Sequence, residues 1–122
     1  MKRLIFGAGL LSPTLTGDKK MTLRRYRAGS HDFEEGEAVI GEFKDGLNLL
    51  LLITADTKKK PFSKLTDEEA RADGFADAAD AFENLKEYYP DLKKSDLMAT
   101  ICYEVFVVDG IPVVSINEHW PK

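Results

Sequence analysis

The chain has 122 residues, enough for one domain of ordinary size and too few for two. Charged residues make up 31% and apolar residues 43%, which is typical of a globular protein and excludes an intrinsically disordered chain. The single cysteine fits a reducing compartment and excludes both an intramolecular disulfide framework and a cysteine-built zinc site. Seventeen Lys and Arg against 21 Asp and Glu give a net charge of -4, which excludes a generic polycation that coats nucleic acid.

No apolar run is long enough to span a membrane. The longest run, 49–53, has five residues, whereas a span needs roughly 18–20. The apolar stretch near the N-terminus is not followed by a small-residue cleavage site before Asp18, so it is not typical of a secretory signal. We therefore expect one cytoplasmic domain over residues 1–122, with no membrane segment, no cofactor and no metal ion.

The first half of the chain is typical of short strands separated by tight turns. Gly7 and Gly9 interrupt the first apolar run, and a helical turn over 10–16 is closed by Gly17. The pair Asp45-Gly46 predicts a hairpin turn. Alternating or continuous apolar patterns predict strands at 4–6, 21–25, 36–43 and 47–54.

The middle of the chain changes to a helical period. Thr66 and Glu69 form a capping box that begins a helix. This helix should end near Asp73, because Gly74 can adopt the left-handed closing conformation. Asp77 can cap a second helix with one apolar face.

The last third returns to strand. The second helix should end at Pro90, and a strand over 97–108 then turns at Asp109-Gly110 into a return arm over 111–116. The run of three lysines at 58–60 is predicted to be a solvated loop, with phosphate contact as the alternative. Strands, then two helices, then strands predict an α+β domain whose sheet is mostly antiparallel and barrel-like, with short flanking helices.

Three features receive a structural interpretation. A dinucleotide-binding loop would need a third glycine where Ser12 stands, so Gly7-Ala8-Gly9 is predicted to turn the chain. Cys102 lies among apolar strand residues and is predicted to be a core cysteine. His31 and His119 are far apart in sequence and are predicted to be solvated rather than metal ligands.

Positive charge concentrates in the segment 17–27, which holds five basic residues and one acid. In a strand, the side chains of Lys20, Thr22 and Arg24 project to one face, while Met21 and Leu23 project to the other and can anchor in the core. The first 30 residues carry a net charge of +6, which leaves -10 for the rest. Such a basic end suits a focused anion site, for example for a phosphate, and a solvated basic strand face is the alternative.

The position of Asp73, in the last turn of the first predicted helix of the middle region, is unfavourable for helix stability. An acid in the last turn of a helix opposes the helix dipole at a cost of roughly a few tenths of a kcal/mol. A residue that is locally unfavourable indicates a role other than helix stability. The alternative is that Asp73 simply caps the helix or bridges the gap to the next one.

Several segments, in order, match one known pattern. Residues 15–24 are similar to a Gly-x-Lys-Thr-x-Thr-x-Arg signature, and residues 65–75 are similar to a Leu-Thr-Glu-Glu-x-Ala-x-x-Glu/Asp-Gly-Phe helix. Gly36-Glu37, Tyr88-Tyr89-Pro90 and Cys102-Tyr103-Glu104 fit the same order. Together they resemble the ASCH domain family of the PUA-like superfamily, and the likeness covers nearly the whole chain.

The resemblance implies a small PUA-like β-barrel with flanking short helices, a cleft between barrel and helices, and a role in binding RNA or a nucleotide- or nucleoside-like ligand. Some small relatives are amidohydrolases that act on N4-acetylcytidine with a Lys, a Thr and a Glu. These positions correspond here to Lys19, Thr22 and Asp73. The Thr that usually follows the Lys is Lys20 in this chain, and the Glu is replaced by the shorter Asp.

The resemblance therefore leads to two hypotheses for one set of residues. In a binding module, these groups hold a single base and phosphate. In a hydrolase, Thr22 is the nucleophile, Lys19 is its base once it has lost a proton, and Asp73 carries a proton. An interaction domain that docks an acidic partner is a third possibility. The residues predicted to bind the ligand are Lys20, Arg24 and Arg25.

Overall fold

The computed structural model describes residues 1–114, which form eight strands, three short α-helices and one 3-10 turn. The α-helices are α1 (Leu11–Thr16), α2 (Asp67–Asp73) and α3 (Ala78–Leu85), and the 3-10 turn is Phe62–Lys64. The strands are β1 (Arg3–Phe6), β2 (Met21–Arg25), β3 (Ala38–Phe43), β4 (Leu47–Ile53), β5 (Lys58–Pro61), β6 (Leu97–Val105), β7 (Val107–Val108) and β8 (Ile111–Pro112).

Six of these strands form one mixed sheet that curls into a half-barrel. The order is β1-β3-β4-β6-β2, and β5 also pairs with β6. β1 and β3 run parallel, and the other pairings in the sheet are antiparallel. β7 and β8 form a separate hairpin. The predicted α+β class, with a mostly antiparallel, barrel-like sheet and short helices, is confirmed.

The half-barrel is open between its two end strands, β1 and β2. Within residues 1–114 no backbone ladder joins these strands. A side chain bridges them instead, because Arg24 in β2 donates through Nη2 to the Ile5 carbonyl of β1 at 2.8 Å. The edges of both strands are therefore available to line a site.

Two apolar clusters hold the sheet and helices together, and β6 contributes to both because successive side chains of a strand point to opposite faces. The cluster inside the half-barrel includes Ala99, Ile101 and Tyr103 of β6. The cluster against the helices includes Met98 of β6. It also contains Met21, Leu23, Phe62, Leu65, Ala70, Ala81, Leu85 and Leu92. Met21 and Leu23 thus anchor β2 in the core, as predicted.

Helix α2 begins and ends where the sequence predicts. Thr66 accepts the Glu69 N–H at 3.1 Å, and the Glu69 carboxylate accepts the Thr66 N–H at 2.9 Å, so the capping box is complete. Gly74 closes the helix at φ 104°, a conformation that glycine adopts without strain. The two ends fix Asp73 in the last turn, on the side that packs against β2.

Helix α3 is shorter than predicted. Asp77 caps it by accepting the Asp80 N–H, as expected, but the helix ends at Leu85 rather than at Pro90. The N–H groups of Tyr88 and Tyr89 both bond to the Leu85 carbonyl, which makes a tight turn in place of another helical turn. This turn places the two tyrosines beside the sheet's open side.

Two corrections concern the strands. The lysine run predicted as a loop is the strand β5, because the edge of β6 offers unpaired backbone groups and ladder formation overrides the weak strand preference of lysine. The long strand predicted over 97–108 is interrupted at Phe106, whose N–H bonds to Leu50 while its carbonyl accepts the Val113 N–H.

The predicted return arm is confirmed as a strand at Ile111–Pro112, and its end from residue 115 onward lies outside the described residues, as does His119. Among residues 1–114, no helix combines the length and the apolar character needed to cross a membrane.

Candidate functional site

A cavity of about 410 Å³ opens where the half-barrel meets the helices. Its walls come from the end of β1, from α1, from β2, from the C-terminal end of α2 and from the segment 84–89. The three residues that the resemblance implies as catalytic, Lys19, Thr22 and Asp73, all line it. The fold therefore brings together residues that are 54 positions apart in sequence.

Lys19 and Asp73 form a buried ion pair on the free edge of β2. Their exposed fractions are 3% and 9%, and Lys19 Nζ contacts Asp73 Oδ1 directly. Nζ also donates to the Met21 carbonyl at 2.9 Å, while Asp73 Oδ2 accepts the Leu23 N–H at 2.8 Å. The pair thus satisfies two backbone groups of β2 that a neighbouring strand would otherwise satisfy.

This environment changes the acidity of both groups. Burial lowers the pKa of Lys19 below its usual value, and the charge of Asp73 opposes this shift. Burial likewise raises the pKa of Asp73, opposed by the charge and hydrogen bond of Lys19. Both shifts favour the uncharged forms, because a charge is costly in a medium of low dielectric constant. Lys19 therefore loses its proton more readily than a lysine in water does.

The pairing also explains why an acid stands in the last turn of α2. The unfavourable position relative to the helix dipole is offset by a hydrogen bond and an ion pair to β2. The sequence shows the local cost, and only the packing of α2 against β2 shows what compensates for it.

Thr22 lies beside this pair but bonds to a different partner. The side chain is 4% exposed, and its Oγ1 accepts a hydrogen bond from Arg24 Nε at 2.9 Å. Among residues 1–114, neither Lys19 nor Asp73 hydrogen-bonds to the Thr22 hydroxyl. The hydroxyl is thus held by a cation, in a geometry that fixes its direction.

Arg24 is the partly buried cation of the cavity wall. Its guanidinium lies 5.2 Å from the Phe6 ring centroid and donates to Thr22 and to the Ile5 carbonyl. A guanidinium has five N–H groups, so three are left without a protein acceptor among the described residues. Burial is the largest effect on its pKa, which is lowered. Its spare donors can bond to a ligand oxygen in the cavity.

Lys20 and Arg25, the other residues predicted to bind the ligand, lie outside this cavity. Lys20 is exposed and lines a smaller, separate depression of about 220 Å³. Arg25 lies over the Tyr89 ring and pairs with Asp91 at 2.9 Å and Asp96 at 3.6 Å. Of the three residues predicted to bind the ligand, only Arg24 therefore lines the cavity.

The positive charge of the first 30 residues is largely neutralised by the acidic remainder. Lys2 pairs with Glu37 at 3.2 Å, and Arg3 pairs with Glu42. Together with the pairs of Lys19 and Arg25, these contacts leave far less free positive charge than the +6 of the sequence indicates.

The cavity also has aromatic walls, which the basic segment of the sequence does not predict. Phe75, Tyr88 and Tyr89 line it beside Ile5. Tyr88 is 68% exposed, and a Cβ added at Gly7 would lie 3.3 Å from its hydroxyl, so the glycine allows a close approach across the mouth. The Tyr-Tyr-Pro step was visible in the sequence, but only the early end of α3 turns it toward β1.

His31 corrects a prediction, because it is buried rather than solvated. Its Nδ1 accepts the Arg27 N–H at 3.0 Å. Burial, followed by the charges of Arg24 and Arg27, lowers its pKa. Cys102 is partly buried beside the cluster that faces the helices, where burial raises the pKa of its thiol. Within residues 1–114, no group of His, Cys, Asp and Glu has the arrangement of a metal site.

No protein-family model matches the sequence, and no curated protein matches it. Solved structures do match in shape. An ASCH domain from Lactobacillus crispatus JV V101 superposes with a TM-score of 0.66 at 14% identity, covering 81% of this chain and 78% of that one. A protein from Enterococcus faecalis V583, described as DUF984, superposes with a TM-score of 0.63 at 16% identity, covering 98% and 86%.

A solution structure of a Pyrococcus furiosus protein matches as well, with a TM-score of 0.52 at 18% identity over 84% of this chain and 96% of that one. Identities this low establish the fold alone. At that level the structures agree with the resemblance carried by the sequence motifs, because the chain shares the fold of the ASCH domain structure.

Proposed function

We propose that the cavity between β2 and the helices binds a single nucleoside-like unit. The observation that carries this proposal is Arg24, a partly buried cation on the cavity wall with three N–H groups that no described residue accepts. A hydrogen bond from a charged donor is stronger than one between neutral groups. A carbonyl or other oxygen acceptor on a bound heterocycle can accept such bonds from the unused N–H groups of Arg24.

The shape and the lining of the cavity support the same ligand class. Its volume of about 410 Å³ lies within the range of small-molecule sites, about 300–1,000 Å³. Phe75, Tyr88 and Tyr89 supply aromatic surface, and stacking of a base on an aromatic ring contributes about 1–3 kcal/mol. A planar heterocycle with an oxygen acceptor satisfies both the rings and Arg24.

The charge distribution supports one bound unit rather than a long strand of RNA. A groove for RNA needs a run of unpaired cations along the backbone path. Here Arg25 is paired with acids, and Lys59 and Lys60 of β5 lie near Asp32 and Glu69. Any RNA that binds is therefore expected to insert one exposed base.

Calorimetric titration with the four ribonucleosides tests the proposal. We expect at least one to bind, and Arg24→Met to weaken that binding by tenfold or more, because one or two hydrogen bonds to a charged donor are lost. Arg25→Met is the matched control, since Arg25 is the next residue of the same strand and lies outside the cavity. Equal losses in the two variants, or no binding of any ribonucleoside, would contradict the proposal.

A second candidate, hydrolysis of an acylated nucleoside amide, is favoured by Lys19, Thr22 and Asp73 lining one cavity. In this reaction the Thr22 hydroxyl oxygen bonds to the acyl carbon and passes its proton to an uncharged Lys19. The carbon–nitrogen bond then breaks, and the leaving amine takes that proton. Water cleaves the resulting ester and restores the Thr22 hydroxyl. The lowered pKa of Lys19 supports its role as base.

Incubation with N4-acetylcytidine, followed by chromatography, tests this candidate. We expect Thr22→Ala to abolish turnover and Thr22→Ser to retain part of it, because serine keeps the hydroxyl. Thr100→Ala is the control, since Thr100 is equally buried but lies on β6 outside the cavity. Turnover that survives Thr22→Ala would remove Thr22 from the chemistry, and absence of turnover in the parent protein would leave the cavity as a binding site alone.

A further inference from the structure

The charged residues that line the cavity differ in exposure, and their net charge differs in sign between the less exposed and the more exposed part of the lining. Lys19 and Asp73 are buried and Arg24 is partly buried, so the inner wall carries a net formal charge of +1. Asp18 and Glu87 belong to the exposed part of the lining, which is called the mouth here. The remaining exposed residues of the lining carry no charge. The buried and partly buried part of the lining, the inner wall, is therefore positive, and the exposed part, the mouth, is negative.

Neither acid at the mouth is neutralised by a residue that the structure describes. Asp18 accepts a hydrogen bond from Thr16 Oγ1 at 3.0 Å, which leaves its charge in place. Over residues 1–114, neither Asp18 nor Glu87 has a basic side chain within ion-pair distance. This differs from the acids beside Arg25, whose charges are compensated.

We infer that Asp18 and Glu87 make this site select an unphosphorylated ligand, bound with its oxygen acceptor inward at Arg24 and an uncharged or cationic group outward. The inference rests on the proposed function and specifies its ligand class. A phosphomonoester carries a charge of about -1.5 to -2 at pH 7. At the mouth it meets two like charges, whereas an ammonium group meets two opposite ones.

The test uses twelve ligands: the four ribonucleosides, their 5′-monophosphates and their 5′-amino-5′-deoxy analogues. For each base that binds, we expect the monophosphate to bind about tenfold more weakly than the nucleoside, and the amine to bind at least as tightly. These ratios should shrink toward one as salt is raised, because exposed charges are screened.

Variants assign the selectivity to the two acids. Glu87→Gln should reduce the discrimination against the monophosphate about threefold, which is the effect of one like charge at roughly 6–8 Å in water, and Asp18→Asn with Glu87→Gln should remove most of it. Glu83→Gln, on the exposed surface of α3 and outside the cavity, should change nothing.

The outcomes separate the two proposals. A monophosphate that binds as tightly as its nucleoside, or more tightly, overturns the selectivity and leaves the proposed function standing. Selectivity that is unchanged in the double variant overturns the assignment to Asp18 and Glu87. If none of the twelve ligands binds, the proposed function and this inference both fail.

Discussion

Arg24 and Arg25 are neighbours in β2, but their side chains have opposite environments. Arg24 faces the cavity, holds the Thr22 hydroxyl and the Ile5 carbonyl, and has no carboxylate within ion-pair distance among the described residues. Arg25 faces the outside, lies over Tyr89 and pairs with Asp91 and Asp96. One guanidinium keeps unused N–H groups at the cavity wall, and the other is compensated by acids of the protein.

The same contrast separates Lys19 from Lys20. Lys19 is buried against Asp73, and Lys20 is exposed. A dense run of positive charge in a sequence is thus a poor guide to a binding surface. What matters is which side chains the strand turns toward the interior, where each charge must find a partner or a ligand.

The largest expected effect is on stability, and it tests the difference between the buried Lys19 and the exposed Lys20. Lys19→Met leaves Asp73 as an unpaired buried charge, and we expect it to lower the free energy of unfolding by about 3–5 kcal/mol. Lys20→Met, the matched control, should leave the urea midpoint unchanged. The double variant Lys19→Met with Asp73→Leu should recover only part of the loss, because it removes the unpaired charge but leaves the Met21 carbonyl and the Leu23 N–H without these partners. Similar effects at both lysines would mean that the pair is not buried in solution.

A smaller effect is expected at the outer surface. Asp91→Ala removes one partner of Arg25, and we expect no measurable change in the urea midpoint in 0.15 M salt, because exposed ion pairs contribute little and are screened. Nucleoside binding should also be unchanged, since Asp91 does not line the cavity. A clear loss of either property would show that the outer arginine shares the role of the inner one.

A local electrostatic effect, confined to one titrating group, is expected at His31. The charge of Arg24 lowers the pKa of His31, in addition to the larger effect of burial. We expect Arg24→Met to raise this pKa in an NMR titration, and Arg25→Met to leave it unchanged, because the side-chain charge of Arg25 does not contribute to the shift. The His31→Asn variant identifies the resonance.

The same histidine gives stability a pH dependence. Its folded-state pKa lies below the ordinary value of 6.5, so its contribution to stability is fully present above pH 6.5. The contribution is lost as pH falls through the folded-state pKa, because the neutral Nδ1 accepts the Arg27 N–H and protonation removes that acceptor. His31→Asn keeps an acceptor that does not titrate, so its stability should fall less between about pH 7 and pH 5. Parallel curves for the two proteins would contradict this.

Much of the fold follows from local sequence. Alternation places Met21 and Leu23 in the core, the capping box begins α2, and Gly74 ends it, because each of these signals acts within a few residues. The strand of three lysines at 58–60 does not follow, since its partner is the edge of β6, about forty residues away. Nor does the early end of α3, which turns Tyr88 toward Gly7.

For the candidate site, the sequence by itself predicted which residues to examine: Lys19, Thr22 and Arg24 in the basic segment, and the acid Asp73 at its unfavourable place in the helix. The tertiary structure alone decided how they are used. In the fold, Lys19 pairs with Asp73, and the Thr22 hydroxyl accepts a hydrogen bond from Arg24. Lys20 and Arg25 lie outside the cavity. The physical reason is that charge is a property of a residue, whereas burial and pairing depend on segments that are distant in sequence and meet only in the fold.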